Sequence, residues 1–598
     1  MEQTVEETVS ATFVNWSEWS DNAFARAKAE DKPILLDVGA VWCHWCHRMD
    51  KDTYNQPEVA AFINKHFVPI KVDNDRRPDI NARYNMGGWP TTVFLTPDGE
   101  IITGATYVPP AQMINLMRQV QQAFHNNKDS LLQQTAQIAR QREEASRPRA
   151  RPDARLSWGI ITQIVGSIAR HYDPVYSGLG TEPKFPQAEA YDLLLAEYVN
   201  GGKRDDRLIE IVVKSLLAMG SGGMYDHVEG GWFRYSTTRD WSQPHFEKMT
   251  ESHAALLTTY LQAFQVTGNQ QIRATAEKSL SYMTRTLYDQ ARGTFAGSQD
   301  ADEVYYMLSS VERTQRKAPF VDWTVYTDWN ARMVGTLLLA GEVLDQPDYR
   351  STGLRLLETL WPLAYDEQAS RVFHYVDPDG PHLPGLLNDQ TQLGRACLEA
   401  YQLTGNTSYL ERAQKLVDYI LVHLQDTEQG GFFDRPEDLL AQGALRTRQK
   451  PLFENAVTAE VLLLLHYLTG KHDYLDAAER ALLVFTDEYA RYEFMASPYG
   501  LAVSRAVNDP TEIVVVGDMS AAQPLLAAAQ RVYVPWRVVL PLDPARDAAT
   551  ITTRGFPIQD EPAAFVCRNQ TCSAPVTVPL DLVRLLADHS AHLNSAIT

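Results

Sequence analysis

A chain of 598 residues exceeds one ordinary hydrophobic core, so about three or four domains, or one large repeat fold with smaller companions, are expected. Its 44% hydrophobic and 22% charged composition is that of a folded protein, and 55 basic against 75 acidic residues leave −20, which makes nucleic acid and anionic membrane poor partners. No apolar run approaches the roughly 18 residues of a membrane span and the acidic residues 1–7 lack an apolar leader, so no transmembrane helix or secretory signal is predicted and the expected location is the cytoplasm.

Residues 33–38 form a short apolar run that predicts a buried strand. After a turn at Gly39 and Ala40, Cys43-His44-Trp45-Cys46-His47 opens a helical run. Residues 68–72 predict a second strand, and residues 91–95 with 100–102 predict a hairpin turned at Pro97, Asp98 and Gly99. Residues 113–124 have helical periodicity, and residues 1–140 together read as an α/β domain. Residues 141–157 are charged, proline-bearing and aperiodic, which is the composition of a linker.

From residue 158 to 502 the pattern is helical, and it repeats. Val266-Thr267-Gly268-Asn269, Leu403-Thr404-Gly405-Asn406 and Leu468-Thr469-Gly470 mark copies of one helix–helix corner, with weaker copies near Asn200 and Leu344. Between the corners lie six glycine- or aromatic-bearing segments, at residues 178–180, 230–233, 293–295, 372–374, 430–433 and 499–501. Helix, corner, helix and long loop, repeated six times, predict six αα-hairpins closed into an all-α (α/α)6 toroid. Residues 503–598 return to strand-like runs at 513–517, 537–540 and 564–567, and read as a small C-terminal α/β lobe.

Five cysteines are too few for a disulfide framework. Cys397 lies in an apolar stretch and reads as a core thiol; Cys567 and Cys572 read as reduced structural thiols, with exchange with Cys43 or Cys46 as the alternative. A C-x-x-C opening a helix behind a buried strand suits thiol–disulfide exchange. The helix start favours a Cys43 thiolate, expected to be exposed and to attack, while Cys46 resolves the mixed disulfide. Asp37 stands where a buried carboxylate takes or relays a proton, and Pro90 in Trp89-Pro90-Thr91 is the expected cis proline. The same segment also fits the haem pattern C-x-x-C-H, and Cys43, His44, Cys46 and His47 could be zinc ligands. Haem lacks an export signal and a clear distal ligand, and zinc ligands so close in sequence rarely converge, so no cofactor or metal is expected.

Asp37, Trp42-Cys43-x-x-Cys46 and Trp89-Pro90-Thr91 resemble thioredoxin. More closely, Cys43-His44-Trp45-Cys46-His47, Val72-Asp73 with Arg77-Pro78-Asp79-Ile80, and Gly87-Gly88-Trp89-Pro90 resemble the spermatogenesis-associated protein 20 family. The resemblance continues through Asp226-His227, Pro244-His245-Phe246-Glu247-Lys248-Met249 and Gln299-Asp300-Ala301-Asp302 to Cys567-Arg568-Asn569-Gln570-Thr571-Cys572. It implies a thioredoxin-like domain followed by a six-hairpin toroid like those of glycosidases and sugar 2-epimerases. The segments after Asp302 and before Gly87 are shorter than the family pattern leads one to expect.

The polar residues beside the six mouth segments are Asp226, His227, Arg234, His245, Glu247, Asp300, Asp302, His374, Asp389 and Glu454. Epimerising or isomerising a reducing sugar needs a base and an acid near neutral pH, and histidine serves both roles. His245 is the first candidate base, with Glu247 holding it, and Asp226, His227, Arg234, Asp300 and Asp302 are candidate sugar-binding groups. Hydrolysis would need two spaced carboxylates instead. The plain alternative is that these charges tie loops together, as His253 reads as a core histidine. The expected partners are a disulfide-bearing protein or small thiol and a carbohydrate, with a non-catalytic redox-regulated scaffold as the rival to an enzyme.

Overall fold

Every residue of Ile34–Gly39 (β1) is buried, because β1 is the central strand of a four-stranded sheet. In this computed structural model, which describes residues 13–145, 148–569 and 571–592, β1 pairs in parallel with Val68–Asp73 (β2) and antiparallel with Thr91–Leu95 (β3). Ile101–Ala105 (β4) adds to β3 as the predicted hairpin, giving the order β2-β1-β3-β4. Side chains alternate along β1: Ile34, Leu36 and Val38 enter one core, while Leu35 packs on the opposite face with Tyr54, Val59, Ile63 and Met113. Asp37 shares that second face by the same alternation, which carries a carboxylate beneath the helices Pro57–His66 and Pro110–Asn126.

Two features of this first unit differ from the expected boundaries. The helix Lys128–Ala145 runs into the segment predicted as linker, and Ser146 and Arg147 of that segment, like residues 1–7, lie outside the described residues. The unit also includes residues 437–449, which leave the helical repeat to complete its core. Leu445 joins the cluster of Ile34 and Leu36, the Ala444 amide donates to Tyr84 Oη at 2.7 Å, and Arg83 donates to Thr447 O at 2.8 Å.

Among the described residues, the second unit contains twelve main helices between Trp158 and Ala506. Six of them, Ala188–Asn200, Thr250–Thr267, Thr327–Val343, Leu387–Thr404, Leu452–Thr469 and Ser497–Ala506, each pack on the next, and the last returns to the first. This inner ring is closed. Five outer helices follow their inner partners through the corners, where Gly268, Gly405 and Gly470 take the left-handed conformation that ends a helix. The sixth outer helix, Trp158–His171, precedes the ring and packs on Ser497–Ala506, so the first and last helices make the closing hairpin.

The predicted mouth segments need one correction. Residues 499–501 are not a loop but part of the inner helix Ser497–Ala506, where Tyr499 is buried and Gly500 gives room to Leu193 and Ile164. The sixth mouth segment is the stretch before it, which includes the short turn of helix Tyr489–Ala496. Residues 372–374 lie in a strand, Arg371–Asp377, that turns back through Gly380–Pro384.

Four of the other mouth segments are fastened by one recurring device, in which a polar side chain on the first turn or so of the following inner helix holds the backbone of the apolar residue in the loop; at the first segment the Gly178 amide donates instead to Ser215 Oγ of the outer helix Asp206–Ser221. The Trp232 amide donates to His253 Nε2, and Phe295 and Phe432 are held in both directions by Asn330 and Asn455. Gln390 does the same for Val372. Trp232, Phe295 and Phe432 are accordingly buried packing groups.

The C-terminal lobe has the strand order Arg537–Leu542, Thr511–Val516, Ala563–Arg568, Thr571–Cys572, parallel in the first pair and antiparallel after it. It covers the corner end of the ring: the Val539 amide donates to Gln402 Oε1 at 2.9 Å and Gln523 Nε2 donates to Thr404 O at 3.0 Å. The opposite end, where the inner helices begin, carries the mouth segments. No helix among the described residues is long and apolar enough to cross a membrane.

Candidate functional site

In the first unit, Cys43 caps the helix His44–Met49 and is joined to Cys46 by a disulfide. The Cys46 amide donates to Cys43 Sγ at 3.2 Å. Neither sulfur residue is exposed (4% for Cys43, 7% for Cys46), so the expectation of an open Cys43 is corrected for the disulfide form. Of the flanking aromatic residues, Trp42 is buried, donates its Nε1–H to Asp75 and meets Trp89 edge to face, whereas Trp45 is exposed and packs against Tyr107. The Trp89–Pro90 bond is cis, as the sequence led one to expect.

Asp37 is buried, and that burial outweighs the attraction of Lys71 and pushes its carboxyl up to about 6. Lys71 Nζ lies 3.3 Å from Asp37 and 2.6 Å from Asp50, and Tyr54 Oη donates to Asp37 at 3.4 Å. A carboxyl that gains and loses a proton near neutrality therefore sits on the strand that leads into Cys43. Sequence reasoning found Asp37 but not Lys71 and Tyr54, which are distant in the chain and converge only through strand pairing and packing.

In the toroid, the predicted site residues divide into groups. Asp226 belongs to the loop: its Oδ1 accepts from the Val228 and Glu229 amides, and its Oδ2 from Lys248 and Arg313 at 2.7 and 2.8 Å. Burial opposes its charge, but Lys248 and Arg313 prevail and hold the carboxyl below the usual range. The same turn recurs at Asp173, Asp289, Asp366 and Asp426, each capping the two amides two and three residues on. His227 is exposed and bonded to Gly222 O. Asp302 caps the short helix Glu303–Tyr306, and Asp300 Oδ1 accepts from the Ala301 amide. His253 is fully buried, and burial pushes its imidazole down to about 3.

His245 pairs with Glu247 at 3.4 Å and stacks on Tyr235, which stacks in turn on Phe185; Arg234 lies over the same Tyr235 ring. Glu247 is buried, with Oε2 lacking a hydrogen-bond partner among the described residues. His374 and Asp389 come together directly. His374 Nδ1 lies 3.0 Å from both Asp389 oxygens, and both residues are buried.

Asp328, which sequence reasoning missed, is the third member of that cluster. Burial and the neighbouring Asp389 charge push its carboxyl up to about 7, and Asn388 Nδ2 donates to it at 2.7 Å. One ligand atom from each of Asp328, His374 and Asp389 lies within 4.8 Å of the others, a spacing a divalent cation could also use. A signal for Asp328 was present. Five inner helices carry an acid in the first turn, Glu189, Glu251, Asp328, Asp389 and Glu454, all at the mouth end where the helix dipoles favour negative charge. Arg332 sits among them, 3.2 Å from Glu189 and 3.6 Å from Glu251.

These two units define a thioredoxin-like domain with a C-x-x-C disulfide, followed by a six-hairpin helical toroid. The family model Thioredox_DsbH, described as a protein of unknown function (DUF255), matches residues 7–143. The disulfide bond reductase DsbH of Chlamydia pneumoniae is 24% identical over 113 residues, 17% of this chain and 68% of that protein. The cellobiose 2-epimerase of Spirochaeta thermophila superposes on 62% of this chain and 97% of its own with a TM-score of 0.48 at 13% identity. Spermatogenesis-associated protein 20 of Homo sapiens is 26% identical over 714 aligned positions, 96% of this chain and 90% of that protein. Over nearly its whole length the chain is therefore similar to spermatogenesis-associated protein 20.

Proposed function

We propose that the N-terminal domain exchanges disulfides with a protein or small-thiol partner. The observation that carries this reading is the Cys43–Cys46 disulfide at a helix start, with the buried, near-neutral carboxyl of Asp37 on the strand leading into it. In the reduced enzyme, the Cys43 thiolate attacks a partner disulfide, one partner sulfur leaves as thiolate, and Cys46 then displaces the other. Asp37 takes the proton that Cys46 gives up, with Lys71 holding the carboxylate once it is charged. Cys46→Ser removes the resolving thiol, so incubation with an oxidised model peptide is expected to trap a Cys43–peptide mixed disulfide. Recovery of the peptide on the Cys46→Ser variant through any other cysteine would refute the assignment.

A second reading concerns the toroid, and the His374–Asp389 contact favours it. A carboxylate that holds one imidazole nitrogen orients the ring and strengthens it as a base. We propose that this pair removes and returns a proton beside the carbonyl of a reducing sugar, with His245 and Glu247 as the second proton-handling pair. The acids Asp328 and Glu251, with Arg332, face sugar hydroxyls. Mono- and disaccharides incubated in D2O are expected to exchange the proton next to the carbonyl, detected by NMR, and Asp389→Asn is expected to abolish the exchange. Exchange unchanged in Asp389→Asn would exclude the pair from the chemistry.

A further inference from the structure

Cys43 and Cys46 account for one disulfide, and Cys397 is sealed in the toroid core, where burial pushes its thiol up to about 12. The sequence reading of Cys567 and Cys572 as reduced thiols is corrected by the structure, which joins them in a second disulfide. The two cysteines face each other in register across the hairpin of Ala563–Arg568 and Thr571–Cys572. Their sulfurs are not equivalent. Cys567 is 9% exposed on a strand paired on both sides, whereas Cys572 is exposed on a two-residue strand at the sheet edge.

The hairpin does not depend on the bridge. The Ser573 amide donates to Val566 O at 2.9 Å, the Val566 amide donates to Ser573 Oγ at 3.1 Å, and Ala564 and Val576 exchange both backbone bonds. A bridge closing a short loop that is already paired removes little chain entropy, so it opens and recloses without unfolding the lobe. From Cys567 to Ser573 the sequence Cys-Arg-Asn-Gln-Thr-Cys-Ser carries one cation and no carboxylate, while Glu512 stands opposite Cys567 on the neighbouring strand and is paired with Arg554.

We propose that Cys567–Cys572 is an exchangeable disulfide whose electron donor is the reduced Cys43–Cys46 dithiol of another copy of this chain, with Cys572 Sγ as the sulfur attacked. The proposal rests on the thiol-exchange reading of Cys43. The Cys43 thiolate bonds to Cys572 Sγ, the Cys567–Cys572 bond breaks, and Cys567 leaves as thiolate and takes up the proton that Cys43 released. Cys46 then loses its proton and attacks Cys43 Sγ, and Cys572 leaves and is protonated. One disulfide has been exchanged for another, and an external dithiol restores the Cys43–Cys46 pair.

The test uses the full-length chain with dithiothreitol as the external dithiol, alkylation quenching and peptide mass spectrometry. Opening of Cys567–Cys572 at limiting dithiothreitol is expected to be about 10-fold or more faster in wild type than in Cys43→Ser. In Cys46→Ser a Cys43–Cys572 cross-linked peptide is expected. Equal rates in wild type and Cys43→Ser, or a cross-link to Cys567 in place of Cys572, would overturn the proposal. An oxidised model peptide run in parallel separates the two levels. If Cys46→Ser traps that peptide on Cys43 but forms no Cys43–Cys572 link, the second disulfide is excluded as acceptor while the exchange reading stands. If neither forms, both fall.

Discussion

Replacing Asp37 with Asn is expected to stabilise the first unit in a pH-dependent way while slowing its chemistry. Asp37 is 3% exposed, and burial raises its carboxyl from 3.8 to about 6 despite Lys71. That rise corresponds to roughly 3 kcal/mol of folding free energy. The sign follows from proton binding. Below pH 3.8 the carboxyl is protonated in both states and costs nothing. As pH rises through about 6 the unfolded chain ionises more readily, so stability is lost, and above that the full cost persists. Asn carries no charge to desolvate and keeps the shape. Asp37→Asn is therefore expected to gain up to about 3 kcal/mol over wild type at pH 8, reduced by the lost contact with Lys71, and little at pH 4. Amide hydrogen exchange of β1 reads this locally, as protection increased by up to about 100-fold at pH 8. A difference that does not change between pH 4 and pH 8, or a variant less protected at pH 8, would refute the placement of a costly buried charge on β1.

Three further substitutions probe the toroid. Lys248→Met leaves buried Asp226 with Arg313 alone, and is expected to cost about 3 kcal/mol, seen as a lower thermal midpoint; an unchanged midpoint would remove the ion pair from the scaffold. Gly231 has φ +82° and a Cβ there would lie 2.6 Å from His253 Nε2, so Gly231→Ala is expected to destabilise by about 3 kcal/mol, whereas Gly268→Ala, with φ +66° and open space around it, costs about 1–2 kcal/mol. Equal losses at the two glycines would show that the loop is not seated on His253 as described.

The ring was legible because three of its corners share one local chemistry, a left-handed glycine at 268, 405 and 470 capping an apolar helix, and repetition exposes the weaker corners between them. The mouth segments were legible for the same reason, except at 499–501, where Tyr499-Gly500 has the composition of a loop but Gly500 serves close helix packing against Leu193 and Ile164. Asp226 and His374 looked alike in sequence. What separates them is non-local: Lys248 and Arg313 claim one, and Asp389 the other. Residues 437–449 carry no mark of belonging to the first unit, since the contacts that tie Leu445 and Ala444 to it are with residues more than 300 positions away. The disulfide at Cys567 and Cys572 depends on strand register, which spacing alone did not supply.

The exchange chemistry of Cys43 and Cys46 is tested most directly by the reduction of insulin disulfides with dithiothreitol as electron source, followed as turbidity, using the full-length protein and its Cys43→Ser variant. Wild type is expected to shorten the lag before precipitation, and Cys43→Ser to match the uncatalysed reaction. Catalysis by Cys43→Ser equal to wild type would contradict the assignment of Cys43 as the attacking thiol.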